Sequence, residues 1–130
     1  MSTEQNKAVV RRYIEEVINK GNLDLIDTLF APNMREKVRN FLTSGGDPFP
    51  DGQEEIKDML AEGDKVMVWW LFRGTHQGEV LGIPATGKPF EIVGFAVYDF
   101  ENGQIVDDLM SMDWYDMLTQ VGARVTLPGS

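Results

Sequence analysis

The chain has 130 residues, of which 42% are apolar and 25% charged, the balance of one soluble globular domain rather than of a disordered or fibrous chain. A domain of this size buries roughly two-thirds of its unfolded surface, enough for a single core without covalent staples. The formal charge of -9 and the pI near 4.5 repel phosphate backbones and anionic lipid, so neither nucleic acid nor a membrane is expected as a partner. There is no cysteine and His76 is the single histidine, which leaves no disulfide framework, no thiolate ligand and no multi-histidine metal centre. The opening Met-Ser-Thr-Glu-Gln-Asn has no basic start or apolar stretch, and no apolar run approaches the ~18 residues that span a bilayer. A cytoplasmic location is the expectation.

Along the chain, Ser2 followed three residues later by Gln5 predicts a capping box, after which Val10, Tyr13, Ile14, Val17 and Ile18 share one helical face to about Lys20. Gly21 suits the left-handed position that ends a helix. Leu25, Ile26, Leu29 and Phe30 predict a second short helix stopped by Pro32, and Val38, Phe41 and Leu42 a third, ending in a Gly- and Pro-rich loop from Thr43 to Pro50. From Gln53 the period changes to two. Ile56 and Leu60, alternating with charges, predict a weak first strand to the turn at Glu62-Gly63-Asp64. Val66 to Phe72 are β-branched or aromatic almost throughout, which predicts a strand covered on both faces, with Trp69 and Trp70 pointing opposite ways. A loop from Thr75 to Lys88 precedes a strand over Phe90–Phe100, Asn102-Gly103 predicts a type I′ hairpin, and a last strand runs from Gln104 to about Asp113. Helices followed by a meandering antiparallel sheet predict an α+β fold in one domain over 1–130, with residues from about 123 to 130 a tail.

The stretches Ala61-Glu62-Gly63-Asp64-Lys65-Val66, Gly74-Thr75-His76-Gln77-Gly78, Gly82-Ile83-Pro84-Ala85-Thr86-Gly87 and Gln120-Val121-Gly122 resemble the SnoaL-like polyketide cyclases of the NTF2-like superfamily, and the resemblance runs from about Asn6 to Gly122. It implies a cone in which helices close one side of a curved sheet around a pocket, with homodimers formed through the outer sheet face. It also implies that Asp113, which matches the acid such cyclases carry near the end of the last strand, acts as general acid and base. The sequence departs from the pattern between Phe30 and Phe49, where Asn33-Met34-Arg35 passes directly into helix three. It departs again where Ala96 and Leu109 replace an acid and a tryptophan frequent in the family.

A two-residue turn at Asn102-Gly103 pairs Glu101 with Gln104 and, counting outward, Tyr98 with Asp107, Ala96 with Leu109, Gly94 with Ser111 and Ile92 with Asp113, all on one face. That register puts Val93, Phe95 and Val97 opposite Met112, Met110 and Asp108 on the other face. With Trp69 from the neighbouring strand, Phe95, Met110 and Met112 form the expected dimer surface. A bulge in the hairpin would exchange the two faces beyond it.

A carboxyl in an apolar pocket has its charged form disfavoured and can carry a proton near neutral pH, as an intramolecular aldol reaction requires, with no metal and no cofactor. Asp113 fits that role and equally fits the N-cap of a helix starting near Trp114. His76 shares the strand parity of Trp70 and Phe72, and it is either a second catalytic group or a loop hydrogen-bonder. Tyr13, Trp70, Phe72, Phe90, Tyr98, Ser111 and Trp114 are candidates to line the substrate pocket, the aromatic ones equally explained as core. Three functions follow: a polyketide or ester cyclase, with His76 or Ser111 polarising a carbonyl; an isomerase or epoxide hydrolase on the same scaffold; or a noncatalytic dimeric binder of small apolar or aromatic molecules.

Overall fold

The computed structural model describes residues 2–43 and 47–129, so part of the expected loop over Thr43–Pro50, residues 44–46, lies outside the described residues. Helix α1 spans Thr3–Arg12 and starts at the expected capping box: the Gln5 amide donates to Ser2 Oγ at 3.1 Å and the Ser2 amide to Gln5 Oε1 at 3.0 Å. The helix then widens into a π-helical turn over Tyr13–Ile18 that buries Tyr13, Ile14 and Val17. Gly21, at φ 74°, reverses the chain into a single 3₁₀ turn, Leu23–Leu25, and the short helix α2, Ile26–Leu29. Phe30 is extended and bridges Ile105 before α3, Pro32–Thr43, begins.

Strands β1 (Gln53–Glu62), β2 (Lys65–Thr75), β3 (Pro89–Glu101) and β4 (Gln104–Met112) form one antiparallel sheet in sequence order, and α4 (Trp114–Gln120) folds back on its far end. Asn102 and Gly103 both have positive φ, 51° and 77°, as the I′ turn demands.

Two bulges change which side chains share a face. In β4, Phe100 pairs with Ile105 but Asp99 with Asp107, so Val106 is the extra residue. Its carbonyl accepts from Asn33 Nδ2 at 3.1 Å, while Ile105 O accepts from the Ala31 amide at 2.9 Å, so the start of α3 pins the bulge. Beyond it the expected register is corrected by one residue: Tyr98 faces Asp108, Ala96 faces Met110, Gly94 faces Met112 and Phe95 faces Ser111. Met110 and Met112 therefore move to the inner side of the sheet, and Ser111 to the outer side. In β1 the break between Ile56 and Asp58 carries Met59 and Ala61 inward and leaves Leu60 outside, correcting the simple alternation of Ile56 with Leu60.

The core lies between the helices and the inner face. Val10, Tyr13, Ile14, Val17, Ile26 and Phe30 pack on Val66, Val68, Trp70, Ala96, Tyr98 and Phe100, each large side chain contributing about 1.5–3 kcal/mol by leaving water. A second cluster of Phe49, Phe90, Ile92, Met117 and Val121 sits under α4, with Phe72 and Met112 packed against both. On the outer face Met67, Trp69, Val93, Phe95 and Leu109 stay exposed. Within one chain, then, β2 is covered on one face only, which corrects the expectation of burial on both. No described helix is long and apolar enough to cross a membrane.

Candidate functional site

The inner face carries polar groups that its composition as a core does not require. Glu54, the second residue of β1, pairs with Phe72 and so points inward. Its backbone is clamped by Asn19 at the end of the π-helical turn, which donates through Nδ2 to Glu54 O and accepts from the Glu54 amide, both at 2.8 Å. The residue is 6% exposed, and Oε2 finds no hydrogen-bond partner among the described residues. Burial pushes the carboxyl up to about 8, so Glu54 is protonated at neutral pH.

Trp70 stands diagonally across from Glu54 on β2 and lies flat over Gly94, where a Cβ would come within 2.7 Å of Nε1. The residue is 1% exposed, and its indole N–H also has no partner among the described residues. Tyr13 and Tyr98 meet edge to face with centroids 6.1 Å apart. Burial raises both phenols first; for Tyr13 the carboxyls of Glu54 and Asp108 add to it, and for Tyr98 Tyr13, Glu54 and Asp108 do. Both remain hydroxyl donors at any physiological pH. Asn6, two turns before Tyr13, lies on α1 and is buried, with both amide atoms unpartnered among the described residues. Each such atom, if left dry, costs about 1–3 kcal/mol.

Of the candidates read from the sequence, Tyr13, Trp70 and Tyr98 come together here. Phe72, Phe90 and Trp114 gather instead beneath α4 around Phe49, whose ring stacks on Trp114 at 6.3 Å and meets Phe72 and Phe90 edge-on at 5.5 and 4.9 Å. The Phe49 loop is held there by Asp51, which accepts from the Thr75 hydroxyl at 2.7 Å and from its amide at 2.9 Å; those bonds hold the carboxyl below the usual carboxylate range.

The remaining three candidates lie apart. Ser111 is exposed on the outer face opposite Phe95, which removes it from the cone. Asp113 sits just past β4, is exposed, and accepts from the Asp116 amide at 3.0 Å as the N-cap of α4. The expected pairing with Ile92 inside an enclosed pocket is thus corrected by the β4 bulge; the Asp113 amide donates instead to Val93 O at 3.0 Å. His76 is fully buried at the end of β2, with Nδ1 3.0 Å from Thr86 Oγ1 and Nε2 unpartnered.

Sequence reasoning missed Glu54 and Asn6. The signal for Glu54 was present, since it lies two residues before Ile56 and shares its parity. Among the described residues no three His, Cys, Asp or Glu side chains converge in a way that could hold a metal ion. Two open surface depressions, one along the outer side of α1 beside Met59 and one at the hairpin turns near Lys65 and Asp99, have charged walls and contain none of the candidates.

Comparison with known proteins shows the family and the fold. The family described as SnoaL-like polyketide cyclase matches residues 8–121. Among solved structures, IdmH of Streptomyces antibioticus is 27% identical with a TM-score of 0.81, the match covering 92% of this chain and 99% of that one. A SnoaL-like protein of Jannaschia sp. CCS1 is 20% identical over 95% of each chain, TM-score 0.84. TsrD of Streptomyces laurentii is 22% identical over 95% of this chain and 99% of its own, TM-score 0.79. No curated protein matches the chain.

Proposed function

The chain belongs to the SnoaL-like polyketide cyclase family, and from that membership we propose that it catalyses cofactor-independent proton transfer of the intramolecular aldol type on a flat, carbonyl-bearing small molecule held inside the cone. The observation that carries this reading is the interior itself: aromatic and aliphatic walls around a buried carboxyl and an indole N–H that has no partner among the described residues. Apolar walls with a few convergent polar groups are what a flat ketone needs for binding and orientation. Asp113, at the family's acid position, is the proposed proton carrier. Only one hydrogen bond to its carboxylate is made by the cap, through Oδ1, which leaves Oδ2 to take a proton from the carbon next to a substrate carbonyl.

A second reading has its own support: Asp113 is exposed and engaged as a cap, and His76 is buried against Thr86, so the interior can also serve a noncatalytic small-molecule binder. The exposed apolar outer face of Met67, Trp69, Val93, Phe95 and Leu109 supports a homodimer under either reading. The experiment is deuterium exchange at the α-carbon of 1-tetralone in D₂O, followed by NMR. Cyclase-type chemistry predicts exchange above the buffer rate, lost in Asp113→Asn with folding intact. Binding of the ketone with no exchange establishes the binder reading instead.

A further inference from the structure

We propose that Glu54, Tyr13 and Trp70 form an oxyanion-binding site for the enolate or phenolate oxygen of the ligand, a role distinct from the proton carrier at the last strand. The three groups arrive from three elements on the inner side of the sheet, where Tyr13 and Trp70 share one core cluster and the Glu54 carboxyl acts on the Tyr13 phenol. Glu54 enters from β1 with its backbone fixed by Asn19, Trp70 from the diagonal position on β2, and Tyr13 from the π-helical turn that packs on them. The wider turn sets where Tyr13 meets the sheet, and π-helical turns are frequent at functional positions for that reason.

What the site can take follows from its donors. An indole N–H can only donate. A buried phenol below its ionisation range donates its O–H. A carboxyl kept neutral by burial presents an O–H of its own. Three uncharged donors, of which the Trp70 N–H and Glu54 Oε2 have no partner among the described residues, suit an oxygen that gains negative charge: desolvated donors strengthen most toward an anion, whereas a fixed cation would hold any anion indiscriminately. Glu54 acts on the phenols of Tyr13 from the helix and Tyr98 from β3, and Asp108 from β4 acts on the same two phenols. Asp108 lies 3.8 Å from Lys37, so the three donors themselves carry no charge while Glu54 is protonated, and Glu54 repels anions once it ionises.

In the reaction, a base removes the proton next to the carbonyl and the C–H pair moves to the carbonyl oxygen, which becomes the oxyanion held by these donors. Attack of the enolate carbon on a second carbonyl forms the carbon–carbon bond, and the resulting alkoxide takes the proton back. No oxidant or reductant enters. The assignment rests on the proton-transfer reading, but its test reads the ionisation of a bound ligand and not turnover, so the two fail separately.

The test is spectroscopic titration of the whole chain with a nitrophenol that ionises near neutral pH, whose visible band reports the phenolate. The expected result is a bound phenol ionised at least about tenfold more than the free one at pH 6, with affinity for the phenolate falling as pH rises through about 8. Glu54→Gln, shown folded by thermal melting, removes that fall, and Tyr13→Phe weakens phenolate binding about tenfold. Tyr13→Phe stands as an independent arm should Glu54→Gln not fold. The proposal is overturned by a nitrophenol that does not bind, by a bound one no more ionised than the free, or by folded variants that leave affinity and pH profile unchanged.

Discussion

Replacing Glu54 by glutamine should make the protein more stable, and increasingly so as pH rises. In the folded chain the carboxyl protonates at about 8 against 4.5 for the ordinary group. Because the folded state holds the Glu54 proton more tightly, this group's contribution to stability is most favourable below about 4.5 and falls as pH rises toward 8, above which its full penalty is present. The shift of about 3.5 units, 8 less 4.5, corresponds to a ceiling of about 5 kcal/mol at 1.36 kcal/mol per unit. At pH 6 only about 1.5 of those units have been expressed, or about 2 kcal/mol, so the difference between parent and variant should widen by about 3 kcal/mol between pH 6 and pH 9. Glutamine keeps the shape and removes the titration, and every other group titrates alike in both proteins. Urea unfolding followed by tryptophan fluorescence at pH 6, 7, 8 and 9, with equal m-values, isolates the term. Parallel stability profiles for the two proteins would refute the claim that Glu54 is buried and protonated.

Gly94→Ala places a Cβ within 2.7 Å of Trp70 Nε1, and the ring must shift at a cost of about 1–3 kcal/mol, seen as a lower melting temperature and an altered near-UV spectrum. Asp113→Asn retains a good N-cap and should melt like the parent, whereas Asp113→Ala should lose about 1 kcal/mol; equal loss in both would deny the cap. Trp69→Lys sets a charge in the exposed outer face and should convert a dimer to monomer in analytical ultracentrifugation, and an unchanged sedimentation coefficient would place the interface elsewhere.

Local chemistry was legible in the sequence where neighbouring residues decide it. The Ser2–Gln5 box, the Gly21 helix stop and the Asn102-Gly103 turn all sit where side-chain type alone dictates backbone geometry. The face assignments beyond the hairpin were not, because the bulge at Val106 is held from 73 residues away, by Asn33 at the start of α3. That single extra residue moved Met110 and Met112 inward, turned Ser111 outward and left Asp113 as an exposed cap, so the part of the candidate site that depended on β4 changed most. Tyr13, Trp70 and Tyr98 lie on elements whose periodicity was unambiguous, and they face inward as that periodicity requires. Glu54 was hidden by a strand whose alternation breaks at Lys57 and whose other charges are solvated.

The interior of the cone as the ligand site is tested most directly by ¹⁵N–¹H NMR of the three tryptophan indoles during titration with 1-tetralone. Trp70, whose N–H has no partner among the described residues, is predicted to move downfield as it takes the ketone oxygen, while Trp69 on the outer face stays in place. An unmoved Trp70 resonance under saturating ketone would contradict the account.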